Sequence, residues 1–216
     1  MKDLVYGNIN KEDLNYLNMK NVFTQFVDEY KSSLKVPDFM TSTDEIAEML
    51  KVQRKAKESK HWRNIEEFCK GADGDLNATL HRELGKIGVP ITKEYVDWLV
   101  EKTQALGGLV VKLKNHFQRP RPYQVAWYSK QPLHPMETIS GNSPAFPSGH
   151  ACQGKFLSLV VSSHYPEKRV ELRKFSENIS QSRILMGLHY PSDNIAGERI
   201  ATELFDNKII QKYLND

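Results

Sequence analysis

Apolar residues recur at spacings of three and four along most of this 216-residue chain. An early run comprises Val22, Phe23, Phe26, Val27, Tyr30 and Leu34, and a later one comprises Val96, Leu99, Val100 and Leu106. This period is that of an α-helix with one buried face, and no alternating pattern of useful length favours a strand. Thr43 and Thr92 are each followed by early acidic residues, which is typical of a helix start. We therefore predict an all-α fold of seven to nine helices, with residues 1–216 forming one domain.

Composition excludes several classes of protein. Hydrophobic residues make up 39% and charged residues 26% of the chain, as in ordinary globular domains. The net charge of +3 is too small to favour a nucleic-acid or membrane-surface partner. No apolar run approaches the roughly 18 residues that a membrane-spanning helix needs, and the N-terminal residues lack the pattern of a secretory signal. We expect no nucleic-acid partner, no membrane insertion and a cytoplasmic location.

Three polar segments stand apart from the apolar pattern. They are KNHFQRPRP at 114–122, FPSGHA at 146–151 and SRILMGLHYPSD at 182–193. The first two are joined by a proline-rich stretch, 120–147, that we predict to be irregular; such long loops are usually functional. Together the segments supply fixed positive charge, backbone donors, a nucleophile and an acid, which are the requirements of phosphoryl transfer.

The first segment offers a pair of cations in either of two registers. Lys114 and Arg121 are seven residues apart, so both would project from one face of a helix that ends at Pro120–Pro122. Lys112 and Arg119 have the same spacing. Because two residues rotate a helix by roughly 200°, both pairs cannot face one pocket, and we expect one pair to face solvent. An ordinary basic helix end is the plain alternative.

The second and third segments place polar groups near helix starts. Ser148, Gly149 and His150 combine free N–H groups, close backbone approach and a hydroxyl, and these groups suit an anion cradle. In the third segment, Asp193 follows His189 by four residues. Its carboxylate can accept the imidazole N–H and leave the other ring nitrogen free to attack. A surface His–Asp contact is the alternative.

The ordered patterns K-x6-R-P, P-S-G-H and S-R-x5-H-x3-D resemble the three-part signature of the phosphatidic acid phosphatase type 2 superfamily. That superfamily includes soluble class A acid phosphatases and vanadium haloperoxidases. The resemblance covers about residues 112–200 and implies an all-α helical bundle of that type. It also favours the register of Lys114 with Arg121, because the family's R-P is typically followed by an aromatic residue, here Tyr123.

The resemblance implies a role for each matching residue. His189 would attack phosphorus to form a phosphohistidine, Asp193 would hold its ring, and His150 would protonate the leaving oxygen and later activate water. The implied phosphate ligands are Lys114, Arg121, Ser148, the Gly149 N–H and Arg183. Three permanent cations can neutralise a phosphate dianion, so we expect neither a metal nor another cofactor.

We therefore expect a soluble phosphatase that hydrolyses small phosphate monoesters. The sequence does not decide whether phosphoanhydrides are also substrates, or whether the chain forms a homodimer. One rival is a vanadium haloperoxidase, which holds vanadate on the histidine matching His189; those enzymes surround the site with much more chain. The other is a catalytically silent module that binds phospholigands. It is disfavoured because anion binding alone requires neither histidine nor Asp193.

Overall fold

The computed structural model describes Tyr6 and residues 13–216, and within them the fold is all-α, as predicted. The α-helices are α1 (Asp13–Asn18), α2 (Val27–Ser33), α3 (Phe39–Lys57), α4 (Trp62–Gly74), α5 (Leu76–Lys86), α6 (Lys93–Phe117), α7 (Pro122–Ser129), α8 (Gly149–His164), α9 (Arg169–Leu185), α10 (Pro191–Phe205) and α11 (Lys208–Asn215). Short 3-10 helices cover Thr24–Phe26 and Pro166–Lys168. None of the described helices is both long and apolar enough to cross a membrane.

The prediction of seven to nine helices is too low, because four helices have only six to eight residues each. Of these, α2 lies within the early apolar run, whereas the other three, of about two turns each, leave too few apolar repeats to show a period. One predicted helix start is also wrong. Asp38 caps α3 by accepting the Thr41 N–H at 2.8 Å, and Thr43 lies inside that helix. Thr92 caps α6 as predicted, by accepting the Tyr95 N–H at 3.2 Å.

Helix α8 forms the centre of the fold and packs against α6, α9 and α10. Phe156 of α8, Ile179 of α9 and Ile200 of α10 are fully buried in this core. Helix α10 approaches the first turn of α8 closely at Gly197, where a Cβ atom would lie only 2.5 Å from the Ser148 carbonyl oxygen. This packing holds the starts of α8 and α10, which carry two of the three motifs, side by side.

The first motif does not lie on one helix, contrary to the sequence prediction. Helix α6 ends at Phe117, and Gln118 follows it in a left-handed conformation at φ 50°. Arg121 is instead the N-cap residue of α7, with Pro122 at the first helical position. The prolines explain the break, because proline disfavours helical geometry in the residue before it and itself suits a first turn. The proline-rich stretch therefore contains a helix and is not irregular throughout.

Helix α1 packs across α6 at Gly107. A Cβ atom there would lie 2.8 Å from Cε1 of the Tyr16 ring, so only glycine allows this approach without movement of the ring. The contact brings α1 to the mouth of the cavity described next.

Candidate active site

Five of the eight predicted site residues line one cavity of about 290 Å³. They are Lys114, Arg121, Gly149, His150 and His189. The other three predicted residues, Ser148, Arg183 and Asp193, are almost completely buried. Ser148 precedes the lining residue Gly149, Asp193 contacts His189, and Arg183 contacts the lining residue Asp73. The tertiary structure thus gathers all eight around one site.

His189 is held between a carboxylate and a cation. Its Nδ1 lies 3.3 Å from Oδ2 of Asp193, and its Nε2 lies 2.8 Å from Nη1 of Arg121. Because a guanidinium is only a donor, Nε2 must accept, which places the ring proton on Nδ1, toward Asp193. Burial and the neighbouring Arg121 and Lys114 cations lower the pKa of His189 well below its usual range. The imidazole is therefore neutral, and its Nε2 lone pair accepts from Arg121, another residue that lines the cavity.

Lys114 and Arg121 donate mainly to neutral oxygens. Lys114 Nζ donates to the Pro144 carbonyl at 2.6 Å, and Arg121 donates to the carbonyls of Ser143 at 2.6 Å and Leu188 at 2.8 Å. Burial and the Arg183 cation lower the pKa of Arg121 to about 10, and burial and the Arg121 cation lower the pKa of Lys114 well below its ordinary value. Carbonyl dipoles orient both cations without cancelling their charge, so the cavity favours an anion.

The start of α8 adds backbone donors to the cavity. Ser148 is the N-cap residue, and its hydroxyl accepts the Ala151 N–H at 3.4 Å. Gly149 and His150 are the first two residues of the helix and line the cavity. Their N–H groups belong to the first turn, which has no intrahelical acceptors for them. Burial and the Arg183 cation lower the pKa of His150 well below its usual range, against an opposing effect of Asp73.

Arg183, which the family resemblance implies as a phosphate ligand, is paired with a carboxylate. Its Nη2 donates to Oδ1 of Asp73 at 2.8 Å and to Ser140 Oγ at 2.9 Å. Asp73 also accepts the Ile139 N–H at 2.9 Å and a hydroxyl bond from Thr138. The carboxylate therefore joins α4, α9 and the loop that borders the cavity. No sequence pattern marked Asp73, since its charged partner lies 110 residues away.

Arg119 is buried, although the sequence predicted that one of the two candidate cation pairs faces solvent. Its guanidinium is 2% exposed and contacts Asp193 and Glu45, whereas Arg121 lines the cavity. The rotation expected of a continuous helix does not apply, because both arginines follow the end of α6. Lys112 is only half-buried and donates to the Leu17 carbonyl. Arg119, which the sequence analysis weighed in the competing register, thus contacts the buried Asp193, and Glu45, which no motif marked, contacts Arg119.

Residues 100–204 match the PAP2 superfamily model. All eight predicted site residues lie within that region. Among the described residues, no group of three or more His, Cys, Asp or Glu side chains is arranged to hold a metal ion.

Curated relatives are similar over part of the chain. A non-specific acid phosphatase of Salmonella typhimurium is 33% identical over 92 residues, which are 43% of this chain and 36% of the relative. A non-specific acid phosphatase of Providencia stuartii is 27% identical over 158 residues, 69% of this chain and 63% of the relative. The chain thus spans less than two thirds of either relative. Residues 100–204, which make up just under half of the chain and carry the three motifs, are similar to the PAP2 superfamily.

Proposed function

We propose that this chain hydrolyses phosphate monoesters by transferring the phosphoryl group first to His189 and then to water. The placement of His189 supports this most strongly: a neutral imidazole has Nδ1 on a buried carboxylate and Nε2 beside the Arg121 guanidinium. The two relatives named non-specific acid phosphatases support the same class of reaction.

In the first step, the phosphate dianion enters the cavity with its oxygens against Lys114, Arg121 and the N–H groups at the start of α8. Nε2 of His189 attacks phosphorus as the ester P–O bond breaks. His150 gives a proton to the leaving alcohol oxygen, so the product is a neutral alcohol. The ring of His189 becomes positively charged in the phosphohistidine, and Asp193 stabilises that charge.

In the second step, His150 removes a proton from a water molecule whose oxygen attacks phosphorus. The P–N bond breaks, inorganic phosphate leaves, and His189 returns to its neutral form. Each turnover therefore consumes one water and regenerates both histidines. The cations act in both steps because negative charge spreads over the phosphoryl oxygens in each transition state.

A phosphoryl adduct on His189 is the direct test. Protein is quenched in denaturant during turnover of a substrate labelled in the phosphoryl group, and the adduct should be acid-labile and base-stable. His189→Ala should abolish it, whereas His116→Ala, which changes an exposed histidine of α6, should not. An adduct on serine would refute the assignment.

The haloperoxidase alternative has its own readout on the same protein. Phosphate release and halide oxidation are measured with and without vanadate. We expect phosphate release that vanadate inhibits. Halide oxidation that depends on vanadate, without phosphate release from any substrate, would refute the phosphatase proposal.

A further inference from the structure

Arg119 is a buried cation at the junction of three elements. It follows α6, and its guanidinium reaches α3 on one side and the start of α10 on the other. Nη1 donates to Oδ1 of Asp193 at 2.5 Å and to Ser192 Oγ at 2.8 Å. Nη2 donates to Oε2 of Glu45 at 2.9 Å and to Ser42 Oγ at 2.8 Å. The two terminal nitrogens of the guanidinium thus bind two different carboxylates.

The two oxygens of Asp193 have different partners. Oδ1 accepts from Arg119, whereas Oδ2 accepts the Tyr190 N–H at 3.0 Å and lies 3.3 Å from Nδ1 of His189. The contact with Arg119 therefore fixes the rotation of the carboxylate and turns Oδ2 toward the imidazole. The guanidinium itself is fixed by stacking, with its central carbon 3.8 Å from the centroid of the Tyr190 ring.

We propose that Arg119 is a positioning residue for the hydrolysis, which keeps Asp193 ionised and oriented toward Nδ1 of His189. This proposal rests on the proposed function. Arg119 does not line the cavity and touches no reacting atom. It acts on the nucleophile only through Asp193.

The charge of Arg119 matters because Asp193 is completely buried. Burial raises the pKa of the Asp193 carboxyl, and the Arg119 guanidinium opposes that rise, while Glu45 adds to it. The titratable and charged groups around Asp193 are Arg119, Glu45, His189, Tyr190, Lys114 and Arg121. Of these, Arg119 makes the short contact with Oδ1, and without it the carboxyl would take up a proton at higher pH.

A protonated Asp193 would reverse the tautomer of His189. Its O–H would donate to Nδ1, and the ring proton would then sit on Nε2, where the lone pair is needed for attack. The wrong tautomer is a known route to loss of a histidine's function in catalysis. Lysine also cannot replace arginine here, because one ammonium group cannot bind two carboxylates in the way that the two ends of a guanidinium do.

The experiment compares Arg119→Met, Arg119→Lys and Glu45→Gln with the wild type. Arg119→Met should lower kcat by about 10- to 100-fold, as loss of an outer partner of a functional histidine does, and should move the acid limb of the pH profile to higher pH. Arg119→Lys should show a smaller loss in the same direction.

Glu45→Gln is the matched control, because it removes the charge of the other carboxylate that Arg119 binds, the one on α3. Asp193 keeps its contact with Arg119 and loses a neighbouring negative charge, so the acid limb should move to lower pH. A merely structural tie between α3 and α10 predicts no such opposite shift. Thermal melting establishes that each variant is folded at the assay temperature.

A second readout does not require turnover. Nitrogen-15 NMR of the His189 ring should show protonated Nδ1 in the wild type and Glu45→Gln, and protonated Nε2 in Arg119→Met. An unchanged tautomer in Arg119→Met, or a folded Arg119→Met with wild-type kcat and pH profile, would overturn the proposal. So would a pH shift of the same sign in Glu45→Gln and Arg119→Met. If the wild type releases no phosphate from any monoester, the proposed function fails, and the tautomer still tests the role of Arg119.

Discussion

Asp73→Asn removes the negative charge from the ion pair that joins α4 to Arg183. Both partners are buried, and Arg183 Nη2 lies 2.8 Å from Asp73 Oδ1. Asparagine has nearly the same shape and still accepts through its one amide oxygen. The substitution therefore isolates the effect of charge, and it leaves the Arg183 guanidinium buried without that carboxylate.

The loss of stability expected for Asp73→Asn follows from the pKa of Asp73 and, independently, from the usual cost of breaking a buried ion pair. Burial alone would raise the pKa of Asp73, but Arg183 and a hydrogen bond from Ser140 hold it at about 2, against an ordinary value of 3.8. A carboxyl with that lowered pKa contributes about 2.5 kcal/mol to stability at neutral pH. Breaking a buried ion pair by removing one partner costs about 3–5 kcal/mol. We therefore expect Asp73→Asn to lower the free energy of unfolding by about 3 kcal/mol. For a chain of this size, that corresponds to a fall in Tm of roughly 6–12 °C.

The pH dependence gives the sign of the effect. Because the folded pKa is the lower one, the stabilisation by Asp73 is complete above about pH 4 and is lost as the pH falls toward about 2. The difference in unfolding free energy between wild type and Asp73→Asn should therefore be constant from neutral pH to about pH 4 and shrink below it. Urea unfolding at a series of pH values measures this difference.

The control is Asp75→Asn, which changes an exposed acid two residues away. Asp75 caps α5 by accepting the Ala78 N–H at 2.9 Å, and asparagine caps a helix equally well. We expect Asp75→Asn to change the free energy of unfolding by less than about 0.5 kcal/mol. A loss in Asp73→Asn no larger than in this control, or a loss that persists unchanged to pH 2, would refute the role assigned to the buried pair.

Three further predictions concern packing, charge and pH. Gly197→Ala would place Cβ 2.5 Å from the Ser148 carbonyl oxygen. It should therefore lower the free energy of unfolding by about 1–3 kcal/mol, as followed by thermal melting, and slow phosphate release. Gly74→Ala, whose Cβ meets nothing within 4 Å, should leave both nearly unchanged. Activity should survive dialysis against EDTA, because fixed cations supply the charge that Mg²⁺ provides elsewhere; loss on chelation and recovery with Mg²⁺ would contradict this. The profile of kcat/KM against pH should be bell-shaped and centred below neutrality, since His189 must be neutral and His150 protonated, and burial and nearby cations lower both pKa values. Maximal activity above neutral pH would show that the acid is another group.

Local patterns determined the helical fold and the content of the motifs. The apolar period predicted helices such as α6 and α9, and Pro191 correctly marked the start of α10. The spacing of four between His189 and Asp193 predicted their contact. These features depend on forces that act within a few residues, such as helical geometry, capping and the fixed φ of proline, and the amino-acid sequence displays them directly.

Only the tertiary structure decided which charges are paired. Asp73 meets Arg183 across 110 residues, and Arg119 meets Glu45 across 74. The first contact exists because α4 packs against α9, and the second because α3 packs against α7, just beyond Arg119. Charged residues are common along the sequence, so nothing local distinguishes a solvent-exposed arginine from one whose partner arrives from a distant helix. Burial then makes these pairings strong, because a charge removed from water must find a partner within the fold.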